Sequence, residues 1–288
     1  MRILVLGGEG MLGHKVFEVL SRDFEVFATF RAPAPQEISP LFKEARRRSL
    51  FPKVEAGDFT TVERAFERAR PQAVINCIGV VKQVKESEDP LTCIEVNSLF
   101  PHRLARLCSG CGSRLFQIST DCVFSGRKGN YSEIDIPDPV DLYGRAKLLG
   151  EIDRQGCLTL RTSLIGREII KKAGLLEWFL AQQGGKIKGY TRAVFSGVST
   201  TVLARIIGRL VSDYPGLYGI YHLASVPISK YDLLVKIRDA AGLDIRIEPS
   251  AEFVCDRSLD AGRFLSQTGL QVPGWEEMIS ELEAELRK

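Results

Sequence analysis

Apolar runs and amphipathic stretches alternate along the first half of the chain. Ile3 to Leu6 is an uninterrupted apolar run, typical of a strand buried on both faces of a parallel sheet. Leu12, Val16 and Leu20 follow at the spacing of one helix face. Similar runs predict further strands at 25–30, 53–56, 73–75, 114–118 and 158–161. This alternation predicts an α/β protein with a Rossmann-type, doubly wound parallel sheet.

Local signals place the helices and divide the chain. The pattern Thr60-x-x-Glu63 predicts a capping box, and Asp89 before Pro90 predicts a helix start. Pro101 should kink or interrupt that helix. Later patterns predict helices at 175–181, 200–211, 229–240 and 275–286 and strands at 219–223 and 245–247. We therefore expect a dinucleotide-binding domain at 1–163, with later returns near 190–222, and a smaller, discontinuous α/β substrate-binding lobe over most of 164–288.

Composition narrows the class of protein. The 288 residues carry a net charge of +3, too small to favour a nucleic-acid partner. Apolar runs stay well short of the roughly 18 residues of a membrane span, and the N-terminal run is too short for a signal peptide. The seven cysteines include one close pair, Cys108 and Cys111, without a histidine cluster. We expect a cytoplasmic protein with free thiols, no metal site and no membrane partner.

A glycine turn follows the first strand. Gly7, Gly10 and Gly13 form a GxxGxxG pattern between the strand and the helix. Such glycines let the backbone approach a pyrophosphate at the positive end of the helix. The second strand ends in Thr29-Phe30-Arg31, without the acidic residue that favours NAD. Arg31 suits a 2′-phosphate, so the sequence favours NADPH, with NADH and a merely solvated arginine as the alternatives.

The ends of later strands should also face the cofactor. Asp58 is placed to contact adenine, and the turn Asn76 to Gly79 should line the dinucleotide. The polar stretch VVKQVKESEDP then stands where substrate would enter. Lys82 and Lys85 could meet a diphosphate there, and a solvated loop is the alternative.

Thr120, Tyr143 and Lys147 form a candidate proton-transfer unit. Thr120 ends the fifth predicted strand, and Tyr143 and Lys147 stand one turn apart on one helix face. A free tyrosine has a pKa near ~10, and a neighbouring ammonium lowers it. Thr120 would orient a carbonyl oxygen while Tyr143 protonates the developing alkoxide and hydride arrives from a nicotinamide. Lys147 would also hold the nicotinamide ribose.

These motifs resemble the extended short-chain dehydrogenase/reductases, above all the dTDP-4-dehydrorhamnose reductase family. The resemblance is carried by GGEGMLG, STDCVFSG at 119–126, YGRAK at 143–147 and LRTS at 160–163. FSGVSTTVLARII and GIYHLASVPISKYDLL extend it to the C-terminal third. It implies reduction of the 4-keto group of a dTDP- or UDP-linked 6-deoxysugar, in nucleotide-sugar biosynthesis for cell-surface polysaccharide.

The resemblance also implies roles for individual residues. The implied catalytic residues are Thr120, Tyr143 and Lys147. The implied cofactor-binding residues, besides Tyr143 and Lys147, are Gly7, Gly10, Met11, Leu12, Gly13, Arg31, Asp58, Phe59, Cys77, Ile78 and Gly79. The implied substrate-binding residues are Val81, Lys82, Asp121, Cys122, Thr162 and Ser163.

The chain departs from that family at several positions. Cys122 and Leu164 stand where the rhamnose reductases usually have tyrosine and tryptophan, which suggests a differently shaped sugar or nucleotide. His14 and Lys15 replace a Trp-Glu pair whose glutamate helps to bind magnesium between two subunits in some members. A lysine cannot coordinate magnesium, so we do not predict that dimer, and a monomer or another homodimer is expected. The block Phe195 to Thr200 looks more like relatives that make N-acetylated deoxysugars on UDP.

Two other functions stay open at this point. A nucleotide-sugar epimerase of the same superfamily would keep and recycle NAD, which Arg31 argues mildly against. A non-catalytic NADP-binding protein is the second alternative, because the family includes a regulatory subunit of methionine adenosyltransferase. The three intact residues Thr120, Tyr143 and Lys147 favour an enzyme.

Overall fold

A parallel sheet forms the centre of the computed structural model, which describes residues 1–45, 47–81 and 88–287. Seven of the described strands pair in the order β11-β6-β5-β4-β1-β2-β3. They are β1 Arg2–Leu6, β2 Glu25–Thr29, β3 Leu50–Phe51, β4 Ala73–Asn76, β5 Arg114–Thr120, β6 Cys157–Thr162 and β11 Gly219–His222. The strand order reverses between β1 and β4, and ligands of such sheets bind outside the carboxyl ends at this reversal. The predicted Rossmann-type α/β fold is confirmed.

Helices cover both faces of the sheet. The helices that connect the strands of this sheet are, in chain order, α1 Gly13–Leu20, α2 Pro40–Glu44, α3 Phe59–Ala69, α4 Pro90–Ile94, α5 Phe100–Gly110, α6 Leu142–Leu149 and α8 Thr200–Asp213. Residues of β1 alternate between two apolar cores, Ile3 and Val5 in one and Leu4 and Leu6 in the other. Because both faces are buried, the strand is continuously apolar.

The C-terminal third adds short strand pairs and helices. The strands are β7 Leu164–Ile165, β8 Lys186–Tyr190, β9 Ala193–Phe195, β10 Val198–Ser199, β12 Ile228–Ser229, β13 Arg246–Ser250 and β14 Cys255–Asp256. The helices are α7 Leu175–Leu180, α9 Lys230–Ala241, α10 Gly262–Thr268 and α11 Trp275–Leu286. β9 lies between β12 and β14, so this region is tied together by residues that are distant in sequence.

Two local predictions are wrong. Residues 53–56 do not form a strand, and the third strand is the two-residue β3 instead. Val54 and Ala56 are buried, so their alternation reflects packing and not pairing. The capping box is absent too, because α3 begins at Phe59 with Asp58 as its N-cap residue. The Thr60 hydroxyl donates to the Asp58 carboxylate.

The irregularity expected at Pro101 is present. A π-helical segment, Glu95–Leu99, separates α4 from α5, and Pro101 lies in the first turn of α5. A proline in that position has no N–H to pair with the preceding turn, so regular α-helical bonding changes there.

Lys15 links the first helix to the last within one chain. Its Nζ lies 2.7 Å from Glu18 Oε2 and 3.1 Å from Glu285 Oε1, and its side chain is only 9 % exposed. The two carboxylates raise the pKa of Lys15 against the opposing effect of burial. Lys15 is therefore held in an ion pair within its own chain.

Candidate active site

The glycine turn is too tight for side chains. A Cβ on Gly13 would lie 2.0 Å from the Gly7 carbonyl oxygen, and Gly7 has a φ of 81°. The turn is fixed to the end of β2, since the Gly8 N–H donates to the Thr29 carbonyl at 2.8 Å. The turn and the start of α1 thus lie together at the strand reversal, and this arrangement of backbone and helix end fits a pyrophosphate.

Arg31 lies just beyond β2 and remains largely in solvent. Its side chain is 61 % exposed, and its Nε lies 3.6 Å from Glu9 Oε1 in the glycine turn. Asp58 and Phe59 lie at the start of α3, where the Asp58 side chain is exposed and Phe59 packs edge-on against Phe100.

The turn after β4 joins the glycine turn to Lys147. Ile78 packs against Gly7, where an added Cβ would lie 3.0 Å from Ile78 Cγ1. A Cβ on Gly79 would lie 3.3 Å from Asn97 Oδ1 and 4.0 Å from Lys147 Nζ. Burial raises the pKa of the neighbouring Cys77 thiol to about 12. The structure thus brings together Gly7, Cys77, Ile78, Gly79 and Lys147.

Lys147 points its ammonium into the protein. Nζ donates to the Ile118 carbonyl at 2.6 Å. Burial lowers the pKa of Lys147 to about 8, against the opposing negative charge of Glu151. The ammonium has three N–H groups, so the bond to Ile118 leaves two for a ligand.

Asn97 is a site residue that the sequence reasoning missed. It lies in the π-helical segment, and its side-chain amide bonds to both the N–H and the carbonyl of Val80. Nδ2 donates to the Val80 carbonyl at 2.9 Å, and Oδ1 accepts from the Val80 N–H at 3.1 Å. The sequence shows an asparagine on an otherwise apolar helix face, which indicates a polar role for a buried side chain. It does not show the π-helical turn that orients this side chain toward Val80.

Tyr143 and Thr120 meet at the carboxyl end of β5. Asp141 is the N-cap residue of α6, and its Oδ1 accepts from the Gly144 N–H at 2.8 Å. A Cβ on Gly144 would lie 2.3 Å from the Cys122 carbonyl oxygen, so the helix start lies directly on the turn after β5. The Tyr143 phenol thereby lies close enough to the Thr120 hydroxyl for that hydroxyl to lower its pKa, while the hydroxyl itself donates to Asp121 Oδ1 at 3.2 Å.

The pKa of Tyr143 differs from the expectation. The ammonium of Lys147 predicts a lowered pKa. In the structure burial dominates and raises the pKa of Tyr143 above its ordinary value, with only partial opposition from the neighbouring Thr120 hydroxyl. Tyr143 is therefore a neutral phenol at physiological pH, which is the form that can donate a proton.

Two cations from the C-terminal third face the turn that holds Asp121 and Cys122. Arg257 Nη1 lies 3.7 Å from Cys122 Sγ, and its Nε donates to the Phe124 carbonyl at 2.9 Å. Lys230 Nζ lies 3.4 Å from the ring centroid of Phe195. Burial lowers the pKa of Lys230 to about 8, while Asp121 and Cys122 counteract this shift.

Sequence reasoning missed both cations because more than a hundred positions separate them from the turn. Lys230 lies in the block GIYHLASVPISKYDLL that carried part of the resemblance, which was the available signal. Burial also raises the pKa of Asp121, and Lys230 and Arg257 oppose that shift.

The remaining predicted substrate residues are placed unevenly. Thr162 is buried and pairs in register with Thr120, and Ser163 follows it at the end of β6. Val81 is 40 % exposed at the rim of the turn after β4. Lys82 and Lys85 lie outside the described residues.

A buried ion pair between Glu151 and Arg161 is hydrogen-bonded to the end of β5. Arg161 Nε and Nη2 donate to the two carboxylate oxygens of Glu151 at 2.8 Å and 2.7 Å. The Ser119 hydroxyl, next to Thr120, donates to Glu151 Oε1 at 2.6 Å. Burial and the charge of Arg161 lower the pKa of His222 to about 4, so its Nε2 is free to accept from Arg161 at 3.3 Å. This network holds the strand end that carries Thr120.

Two kinds of feature are absent from the residues that the structure describes. Within those parts of the chain, no group of three His, Cys, Asp or Glu side chains is arranged to hold a metal ion. In the same ranges no helix has the length and apolar character needed to cross a membrane.

Comparison with known proteins places this geometry in context. The family model described as RmlD substrate binding domain matches residues 1–287. Methionine adenosyltransferase 2 subunit beta of Xenopus laevis is 25 % identical over 265 residues, covering 84 % of this chain and 72 % of that protein. The dTDP-4-dehydrorhamnose reductase of Aggregatibacter actinomycetemcomitans is 26 % identical over 262 residues, covering 83 % and 79 %. Among solved structures, the dTDP-4-dehydrorhamnose reductase of Bacillus anthracis in complex with NADP superimposes with a TM-score of 0.78 at 21 % identity and 99 % coverage of both chains.

Proposed function

The chain belongs to the RmlD substrate binding domain family, and from this premise we propose that it is a nicotinamide-dependent reductase. Its substrate is the 4-keto group of a nucleotide-activated 6-deoxysugar, linked to dTDP or UDP. The observation that carries this proposal is the placement of Tyr143 beside Thr120 at the carboxyl end of β5. The neighbouring strand β4 leads into the turn in which Gly79 lies next to Lys147.

The proton step follows from the state of Tyr143. The Thr120 hydroxyl and the Tyr143 phenol together bind the carbonyl oxygen, and the phenol donates its proton as negative charge develops there. Because burial raises the pKa of Tyr143, the phenol holds this proton until an acceptor of high basicity forms. A bound nicotinamide supplies the hydride. A neutral phenol suits the reduction direction.

Lys147 and the glycine turn fit the cofactor. The tight glycine turn at Gly7 to Gly13 leads directly into α1, as a pyrophosphate site at a helix N-terminus requires. With a pKa of about 8, Lys147 is mostly protonated at pH 7 and has two N–H groups for ribose hydroxyls. Arg31 at the end of β2 supports NADPH, with NADH as the alternative. We place this reductase in the cytoplasm as a monomer or homodimer.

The cations Lys230 and Arg257 support a substrate with a diphosphate. Arg257 Nη1 lies 3.7 Å from Cys122 Sγ, and the same cysteine influences the pKa values of Lys230 and Tyr143. The two cations therefore lie beside the turn that follows β5, near Tyr143. A sugar whose 4-keto oxygen reaches Tyr143 carries its diphosphate on the other side of the ring. Two cations beside the turn of Asp121 and Cys122 favour an anionic substrate such as a nucleoside diphosphate, because the carboxylate of Asp121 alone does not balance two positive charges.

Lys230→Met is expected to weaken the binding of UDP or dTDP about 10- to 100-fold, because one charge-assisted contact to the diphosphate is lost. Isothermal titration calorimetry with both nucleotides measures the effect. Lys236→Met is the matched control, since Lys236 lies on the same helix and pairs with Glu276 at the surface. Equal affinity in wild type and Lys230→Met would remove the diphosphate assignment.

A turnover assay tests the proposed function directly. NADPH consumption is expected with at least one member of a panel of dTDP- and UDP-linked 4-keto-6-deoxysugars, and NMR of the product reads the configuration at C4. If NADPH binds but no panel member is reduced, the reductase proposal fails. The non-catalytic reading, suggested by the similarity to methionine adenosyltransferase 2 subunit beta, would then take its place.

A further inference from the structure

A carboxylate from the glycine turn lies at the end of the second strand. Glu9 Oε2 accepts from the Ala32 N–H at 3.2 Å, and Glu9 Oε1 lies 3.6 Å from Arg31 Nε. The Glu9 side chain is only 16 % exposed, whereas that of Arg31 is 61 % exposed. The acid is thus held in place between the turn and the strand end, and the arginine head extends from it into solvent.

This position is where a dinucleotide fold recognises the adenosine ribose. An acidic residue at the end of the second strand accepts from the ribose hydroxyls of NAD, and an arginine nearby accommodates the 2′-phosphate of NADP. Here β2 ends in Thr29, and the Phe30-Arg31 that follows supplies no acid. The carboxylate of Glu9 reaches the end of β2 from the glycine turn instead. This turn is attached to β2 because the N–H groups of Gly7 and Gly8 donate to the Thr29 side chain and carbonyl.

We propose that Glu9 is a dinucleotide-specificity residue, whose carboxylate accepts from the ribose hydroxyls of NADH and disfavours the 2′-phosphate of NADPH. Its negative charge offsets the attraction of Arg31 for that phosphate, since like charges at contact distance repel. The two residues therefore balance each other, and NADH competes with NADPH for the site. The inference rests on the proposed nicotinamide cofactor and is independent of the sugar.

Glu9→Gln removes the negative charge of Glu9 and leaves the positive charge of Arg31 in place. The amide keeps the size of the side chain and an oxygen that accepts from the Ala32 N–H, so the turn is retained. We expect NADPH to bind at least about tenfold more tightly relative to NADH than in wild type. Arg31→Ala is expected to shift the ratio in the opposite direction, by weakening NADPH more than NADH.

Calorimetric titration of each protein with NADPH and with NADH measures these ratios without a sugar substrate. Glu25→Gln, at the exposed opposite end of β2, is the matched control and should leave the ratio unchanged. Glu9→Ala provides a second variant in case the amide disturbs the turn. An unchanged ratio in both Glu9 variants would overturn the inference, as would absence of binding of either cofactor to wild type. Normal cofactor binding and a shifted ratio without any sugar turnover would instead refute only the proposed reaction.

Discussion

Tyr143→Phe is expected to lower kcat for reduction of the 4-keto sugar nucleotide by at least about 100-fold, the low end of the contribution of a general acid. The phenyl ring keeps the packing of Tyr143, but the proton that burial retains on the hydroxyl is gone. Steady-state kinetics at saturating NADPH measure the loss. An unchanged circular dichroism spectrum and an unchanged melting temperature would separate a missing proton from a damaged fold.

Tyr218→Phe is the matched control for this experiment. Tyr218 is 50 % exposed just before β11, so removal of its hydroxyl should leave kcat unchanged. Full activity of Tyr143→Phe would exclude Tyr143 as the proton donor. The hydroxyl of the neighbouring Thr120 would then have to carry the proton-transfer role.

Glu151→Gln is expected to lower the free energy of unfolding by about 3–5 kcal/mol, the usual cost of removing one partner of a buried ion pair. The side chains of Glu151 and Arg161 are 4 % and 5 % exposed, so the guanidinium would be left in the interior without its counter-charge. Equilibrium denaturation in urea, followed by circular dichroism, measures the change.

The surface provides a matched control for this pair. Arg205 also contacts both carboxylate oxygens of Glu281, but the two side chains are 46 % and 28 % exposed. Glu281→Gln should therefore cost at most about 1 kcal/mol. Replacement of both Glu151 and Arg161 by methionine should recover much of the loss, since no buried charge remains. Similar small losses for Glu151→Gln and Glu281→Gln would show that the buried pair contributes little.

The fold was predictable wherever a local pattern has one physical meaning. A continuous apolar run such as Ile3 to Leu6 is found in strands buried on both faces, and the glycine turn after it requires a tight backbone. The prediction was wrong at residues 53–56, because Val54 and Ala56 are buried by tertiary packing without strand pairing. A two-residue strand such as β3 leaves too short a pattern to detect.

The candidate site was predictable where its residues are close in sequence. Tyr143 and Lys147 are one helical turn apart, and Thr120 ends a strand that its apolar run reveals. Lys230 and Arg257 were missed because β9 and its neighbours bring them back over a distance of more than a hundred residues. Their charges carry no information on position until the chain is folded.

The sequence by itself determined the sheet, the glycine turn and the residue types available for proton transfer, because strand, turn and helix preferences act between near neighbours. Only the tertiary structure decided that Glu9 meets Arg31, that Glu151 pairs with Arg161 beneath Ser119 and that Tyr143 keeps its proton. Pairing and pKa depend on burial and on charges a few ångströms away, and those neighbours are set by packing between distant segments. The glycine turn therefore predicts a dinucleotide from the sequence alone, whereas its effect on cofactor preference, through Glu9, follows only from the folded structure.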